Sequence, residues 1–213
     1  MVATKKFSTR CKQCPRLADF LAESKQKFPD YFCKPVPPFG DDKAKLLIVG
    51  LAPGLHGANA TGRPFTGDYA GILLYETLHR FGFSSAPESK HVKDGLQLLG
   101  ARITNAVKCV PPQNKPTPAE IKTCNQYIQQ ELLSLSSDNI VLALGRIAHE
   151  TTLRSLGLRL KDYPFGHGTV HHLPDQFILV DSYHCSRYNT STKRLTVDQF
   201  EAVFVKIRDL IDS

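Results

Sequence analysis

The stretch "KLLIVGLAPGLHGANATGRPFTGD", residues 45–68, decides the fold. Its opening run, Lys45–Val49, is short, apolar and rich in Leu, Ile and Val, the signature of a strand buried on both faces. The rest, Gly50–Asp68, holds five glycines and two prolines and has no carboxylate before its last residue. A buried strand that empties into a long Gly/Pro loop is how an α/β protein brings backbone close to a ligand.

Working outward, three more apolar runs read as strands: Arg102–Val107, Asn139–Leu144 and Phe177–Asp181. Helical patterns surround them at Leu17–Phe28, Tyr69–Phe81, Pro118–Leu135, Arg146–Leu156 and Thr196–Ile211. In the second of these, the apolar residues recur at Ile72, Leu73, Tyr75, Thr77 and Leu78, a helical pattern. The third opens with Thr117, Pro118 and Glu120, the spacing of a capping box. Strands alternating with helices define an α/β protein whose mostly parallel sheet is covered on both faces. The Pro-rich stretch Phe32–Asp42 reads as a connecting loop, and no repeat or linker splits the chain, so residues 1–213 are expected to form one domain.

In such sheets the ligand lies beyond the carboxyl ends of the strands. The unusual polar residues fall there: the Gly50–Asp68 loop, Asn105 and Lys108 after the second strand, and Ser182–Asn189 after the fourth.

The formal net charge is +7 and the pI about 9.1, which suits a polyanionic partner and equally suits a soluble basic surface. No apolar run approaches the roughly 20 residues of a membrane helix, and the start, Met1–Phe7, lacks a secretory h-region. A cytoplasmic, monomeric protein without membrane contact is expected.

Six cysteines are present. Cys11 and Cys14 form a Cys-x2-Cys pair, and Cys109 and Cys124 are separated by 14 residues in "CVPPQNKPTPAEIKTC". In a cytoplasmic chain such a set points to a metal rather than to disulfides. Four thiolates complete a tetrahedral zinc site or a [4Fe–4S] cluster, and spacing alone does not separate the two. Cys33 and Cys185 have no partner at ligand spacing.

With these elements in view, the chain resembles the iron–sulfur uracil-DNA glycosylases, most closely their type b (family five) branch. The resemblance runs from Cys11 to about Leu210. It is carried by Gly50-Leu-Ala-Pro-Gly54, Asn59-Ala-Thr-Gly-Arg-Pro-Phe-Thr-Gly-Asp68, Thr104-Asn-Ala-Val-Lys-Cys-Val-Pro-Pro112, His184-Cys-Ser-Arg-Tyr-Asn189 and the four-cysteine spacing. It implies a three-layer α/β/α sandwich with a central, mostly parallel four-stranded sheet. It also implies a [4Fe–4S] cluster on Cys11, Cys14, Cys109 and Cys124, and removal of uracil, with hypoxanthine and other deaminated bases, from DNA. A non-catalytic nucleic-acid-binding module stapled by zinc or an iron–sulfur group is the alternative, and a thiol-redox protein using Cys11 and Cys14 is a third.

Breaking the bond between the sugar C1′ and the base develops an oxocarbenium-like sugar and an anionic base, after the nucleotide has been flipped from the duplex. The resemblance makes Phe65 the stacking platform, with backbone at Gly50, Ala52 and Gly54 close to the base. His184, at a strand end, is placed to donate a hydrogen bond to the pyrimidine O2 as charge builds there. Asn105 reads a base edge or orients water, or else caps the turn after its strand. Asp68 either caps the helix from Tyr69 or serves the attacking water, two compatible roles. In other branches of the superfamily the water-handling residue lies near Leu51 and Ala52, both apolar here, which leaves Asp68 as the remaining carboxylate. Ser186, Arg187, Asn189, Lys193 and Arg194 form a polar, basic segment expected to contact DNA. Cys185 stands where the family usually has proline, a change expected to loosen the His184 loop, and Ala60 where a basic residue is common.

Overall fold

The computed structural model describes residues 7–174 and 176–213. The amino-terminal stretch 1–6, most of the segment read above as lacking an h-region, lies outside the described residues. Six strands form one sheet: β1 (Phe39–Gly40), β2 (Leu46–Gly50), β3 (Ala101–Asn105), β4 (Ile140–Leu144), β5 (Val170–His172) and β6 (Ile178–Ser182). Their order is β1-β3-β2-β4-β6-β5. The four expected strands make the parallel core β3-β2-β4-β6, and the two short strands add an antiparallel edge at either side. The sheet therefore has six strands where the sequence suggested four.

The principal helices are α1 (Pro15–Lys27), α2 (Ala58–Thr61), α3 (Tyr69–Arg80), α4 (Pro118–Leu133), α5 (Arg146–Ser155), α6 (Arg187–Ser191) and α7 (Val197–Asp212). Alternate residues of each core strand serve opposite faces. Leu46, Ile48, Ile103, Ile140, Leu142 and Val180 meet Leu73, Leu74 and Leu78 of α3 and Phe200, Val203, Phe204 and Ile207 of α7. Leu47, Val49, Val141, Ala143 and Leu179 meet α4 and α5 through Ile128, Leu132, Ala148 and Leu153. Burial on both faces is why these strands read as unbroken apolar runs. Of the apolar positions that mark α3 in the sequence, Leu73, Tyr75, Thr77 and Leu78 are buried and Ile72 is 63% exposed.

The capping box at Thr117 and Glu120 forms as expected, and α7 has a second at Thr196 and Gln199. No helix among the described residues is long and apolar enough to cross a membrane.

A third cluster joins α1 to the sheet end: Leu17 and Leu21 pack with Val107, Cys109, Val110, Cys124 and Tyr127, and Ala52 and Leu55 lie against it. Arg16 reinforces this junction with a bidentate pair to Glu120, both bonds 2.7 Å.

Candidate active site

The chain leaves β2 for one neighbour, β3, and returns to the other side of β2 as β4, so the strand order reverses at β2. Outside the carboxyl ends of these strands lies a cleft of about 300 Å³. Its walls come from three segments: Leu51, Ala52, Pro53, Gly54, Ala58, Phe65, Asp68, Tyr69 and Ala70 after β2, Asn105 at the end of β3 with Asn114 beyond it, and His184, Ser186 and Arg187 after β6.

Phe65 packs into the core cluster of the α3 and α7 face and is 6% exposed. Its backbone sits at φ 53°, a left-handed conformation that costs a bulky residue about 1–3 kcal/mol. Two glycines make the conformation possible. A Cβ on Gly50 would lie 2.8 Å from the Phe65 ring and 2.4 Å from Asn105 Oδ1, and one on Gly71 only 1.8 Å from the Phe65 carbonyl oxygen. Gly50 thus lies behind the ring as a spacer, while Ala52 and Gly54 line the cleft itself. The ring stacks on the His184 imidazole, centroids 5.9 Å apart and planes 28° apart.

Asn105 closes β3, is 4% exposed, and its buried Oδ1 has no hydrogen-bond partner. An unsatisfied acceptor at the floor of a cleft marks a place for a donor N–H.

His184 follows β6, and the surrounding protein lowers its pKa to about 4 by desolvation. It is neutral at physiological pH, able to donate a hydrogen bond without carrying a charge. Its loop is firmly placed: the Asn189 side-chain amide donates to the His184 carbonyl at 2.8 Å. Cys185 is fully buried and its Sγ donates to Ala70 O at 3.4 Å, so this residue ties the loop to α3 and does not loosen it.

Asp68 caps α3, with Oδ1 accepting the Gly71 N–H at 2.8 Å. The other oxygen, Oδ2, faces the Gly54–Gly57 turn, 3.9 Å from where a Gly54 Cβ would stand. Burial raises the Asp68 pKa, the Gly71 N–H acting against it.

The segment after His184, read as a loop, folds as α6 with Ser186 as its cap. Arg187 lies over the Tyr69 ring at 4.9 Å, at the cleft wall. Arg194 covers the Tyr183 ring at 4.7 Å, and Lys193 is exposed at φ 57°. Asn189, Lys193 and Arg194 do not line the cleft. Asn114 does, and the sequence reading missed it; its signal is the turn-forming Pro-Pro-Gln-Asn run, where Gln113 and Asn114 are both left-handed.

Four other histidines are engaged elsewhere. His56 Nδ1 is 2.9 Å from the Tyr31 hydroxyl, His167 Nδ1 accepts the Tyr183 N–H, and His171 joins His149 on the buried Asp181 carboxylate. These last three place their ligand atoms within 4.8 Å of one another, but hydrogen bonds of 2.8 and 3.0 Å already satisfy the carboxylate.

Cys11, Cys14, Cys109 and Cys124 wall one small apolar pocket with Phe7, Leu17, Pro35 and Tyr127, as the spacing suggested, and Cys33 and Cys185 lie outside it. Two donors already point at the sulfurs: Tyr127 OH to Cys11 Sγ at 3.4 Å and Lys108 N–H to Cys124 Sγ at 3.3 Å. Burial raises the thiol pKa values of Cys14, Cys109 and Cys124, the last to about 11, with neighbouring thiols adding to the effect. Four soft donors in one apolar pocket, with hydrogen bonds aimed at sulfur, fit a thiolate-bound metal group. Lys108, its side chain 2% exposed, turns inward to Glu131 Oε1 at 2.8 Å and to Thr104.

A cleft at the strand-order reversal, lined by an amide, an aromatic ring, a neutral histidine and a carboxylate, has the shape and chemistry to hold a planar polar ring. The chain belongs to the uracil DNA glycosylase superfamily, whose family model matches residues 37–208. It is 47% identical to a type-5 uracil-DNA glycosylase of Thermus thermophilus over 207 residues, which are 95% of this chain and 94% of the relative. Type-5 uracil-DNA glycosylases of Mycobacterium bovis and Pyrobaculum aerophilum are 42% and 38% identical, over 94% and 91% of this chain and 78% and 85% of theirs.

Proposed function

We propose that this chain is a monofunctional uracil-DNA glycosylase. It hydrolyses the N-glycosidic bond of uracil flipped out of DNA, accepts hypoxanthine and other deaminated bases, and leaves an abasic site. The carrying observation is that Phe65, Asn105, His184 and Asp68, drawn from three separate segments, line a single cleft.

The flipped base stacks on Phe65. Asn105 Oδ1 accepts the ring N–H that lies beside a carbonyl, a donor shared by uracil and hypoxanthine. His184, neutral, donates to the carbonyl oxygen where negative charge grows as the bond to C1′ lengthens, the kind of donor worth roughly 10²–10³ in rate. Asp68 keeps one oxygen on the helix and offers the other to the attacking water and the cationic sugar. No lysine is among the described residues that line the cleft, so a Schiff-base lyase step is not expected. Ser186, Arg187, Lys193 and Arg194 meet the DNA backbone, and Asn189 supports them by holding His184.

Cys11, Cys14, Cys109 and Cys124 would hold a [4Fe–4S] cluster, which when bound supplies a cross-link between the amino-terminal segment and the sheet. The enzyme is expected to act as a cytoplasmic monomer.

The test incubates the protein with uracil-containing duplex and single-stranded oligonucleotides, followed by alkali. Strand breaks at uracil support the proposal. Tight binding without breaks favours the non-catalytic module.

A further inference from the structure

Arg63 precedes the stacking residue by two positions and is 5% exposed. All its polar contacts are internal. Nη1 donates to Asp94 Oδ1 and Oδ2 at 2.9 and 3.0 Å and to Ser89 Oγ at 2.9 Å, and Nη2 donates to the Val92 carbonyl at 2.9 Å. The guanidinium face covers the Phe39 ring of β1 at 4.4 Å. So committed a group does not reach a DNA phosphate.

The hydrogen-bond partners of its guanidinium all belong to residues 84–98, the excursion between α3 and β3, closed by the Ser84–Leu98 bridge. Asp94 organises that excursion from within, accepting the N–H groups of Lys90, His91 and Leu96 at 3.0–3.1 Å. On the other side of Arg63, the same excursion and α3 grip the turn. Thr66 Oγ1 lies 2.6 Å from Ser89 Oγ, and the Tyr75 hydroxyl donates to the Pro64 carbonyl at 2.9 Å. Between these grips sits the left-handed Phe65. A non-glycine residue holds such a conformation only where its surroundings over-determine it.

We infer that Arg63 is a positioning residue for base stacking: its planar fork, seated in the 84–98 excursion, holds Pro64 and Phe65 in the turn that presents the ring to the cleft. The inference rests on the uracil-DNA glycosylase proposal above. Arg63 acts through Phe65, so its contribution exists only while the ring is there. A lysine at position 63 would keep the charge but lose the fork that engages Asp94, Ser89 and Val92 together.

The test is a double-mutant cycle of Arg63→Lys and Phe65→Ala, read as the single-turnover rate constant on a uracil-containing duplex, below the melting temperature of every variant. We expect R63K to slow the intact enzyme about 10-fold and the F65A enzyme less than 2-fold, a coupling of the size found between residues in contact. The KM for DNA should change less than 2-fold, since the loss arises after binding. Equal slowing in both backgrounds, or no slowing of the intact enzyme, overturns the inference. Should R63K not fold, Asp94→Asn takes its place in the cycle with the same expectation. Wild-type protein that leaves uracil in place overturns the proposed activity and this inference together, whereas an active wild type with multiplicative effects overturns the inference alone.

Discussion

Asp68 Oδ1 accepts the backbone N–H of Gly71 at 2.8 Å, which leaves Oδ2 for the cleft. One carboxylate thus both caps α3 and borders the reaction space, and two substitutions separate the roles. Asn caps helices as well as Asp. Asp68→Asn is expected to lower the single-turnover rate by roughly 10²–10⁴ while the helix stays capped. Asp68→Ala loses the cap as well, at about 1 kcal/mol in thermal or denaturant unfolding.

The pH dependence of D68N follows from the raised Asp68 pKa. A carboxylate raised in the folded state is favourable below its unfolded value and becomes a cost as pH rises through the folded one. The Tm advantage of D68N over wild type should therefore be largest near pH 8 and shrink toward the unfolded value of 3.8. In kinetics, the acid limb of kcat/KM in wild type should be shifted upward from the ordinary aspartate value and vanish in D68N. An unchanged limb would remove Asp68 from the chemistry.

His184, with its pKa lowered to about 4, stays neutral from pH 5 upward, so its own titration should leave no break in the rate between pH 5 and 8. His184→Ala should cost roughly 10²–10³ in kcat on uracil with little change in Tm. Steady-state rates across that pH range, with circular dichroism melts, check both statements.

Gly50→Ala should fold, because β2 accepts alanine, yet close the site. The added methyl would stand 2.4 Å from Asn105 Oδ1 and 2.8 Å from the Phe65 ring. Relieving these contacts displaces the ring or the amide, and a shift of about 1 Å in a reactive cleft costs about 10²-fold. Single-turnover rates on G50A, taken below its Tm, measure it, and the overpacking should lower stability by about 1–3 kcal/mol as well.

Cys109→Ser or Cys124→Ser should yield protein with less bound iron and a lower Tm, since a group binding only the folded state stabilises it. Iron content after anaerobic purification and the brown colour near 400 nm are the readouts; iron-free, colourless wild type would remove the cluster.

The parallel core was legible because four strands buried on both faces leave contiguous Leu/Ile/Val runs, and three of the cleft-lining clusters follow them directly. The edge strands were not. Phe39–Gly40 and Val170–His172 span two and three residues, too few for any period to show, and the second carries two histidines. Helix α6 escaped for a related reason: five residues with none buried have no apolar face to announce them. Ile72 shares the helical spacing that made α3 legible, while its side chain faces the open groove it shares with Tyr69 and Arg187. Asp68, Phe65, Asn105 and His184 were legible as loop residues at strand ends, but their convergence depends on long-range packing. Asn114 was hidden because a polar residue in a Pro-rich turn looks like ordinary surface.

Gly71 carries a practical lesson for anyone stabilising this protein. It sits in the first turn of α3, buried, in a position where helix propensity recommends alanine by about 1 kcal/mol. The Phe65 carbonyl oxygen occupies the space that alanine would need. A propensity-guided redesign would thus trade a small gain in helix formation for displacement of the aromatic platform. Position 71 should be frozen in any thermostabilisation library, although its side chain would touch no substrate.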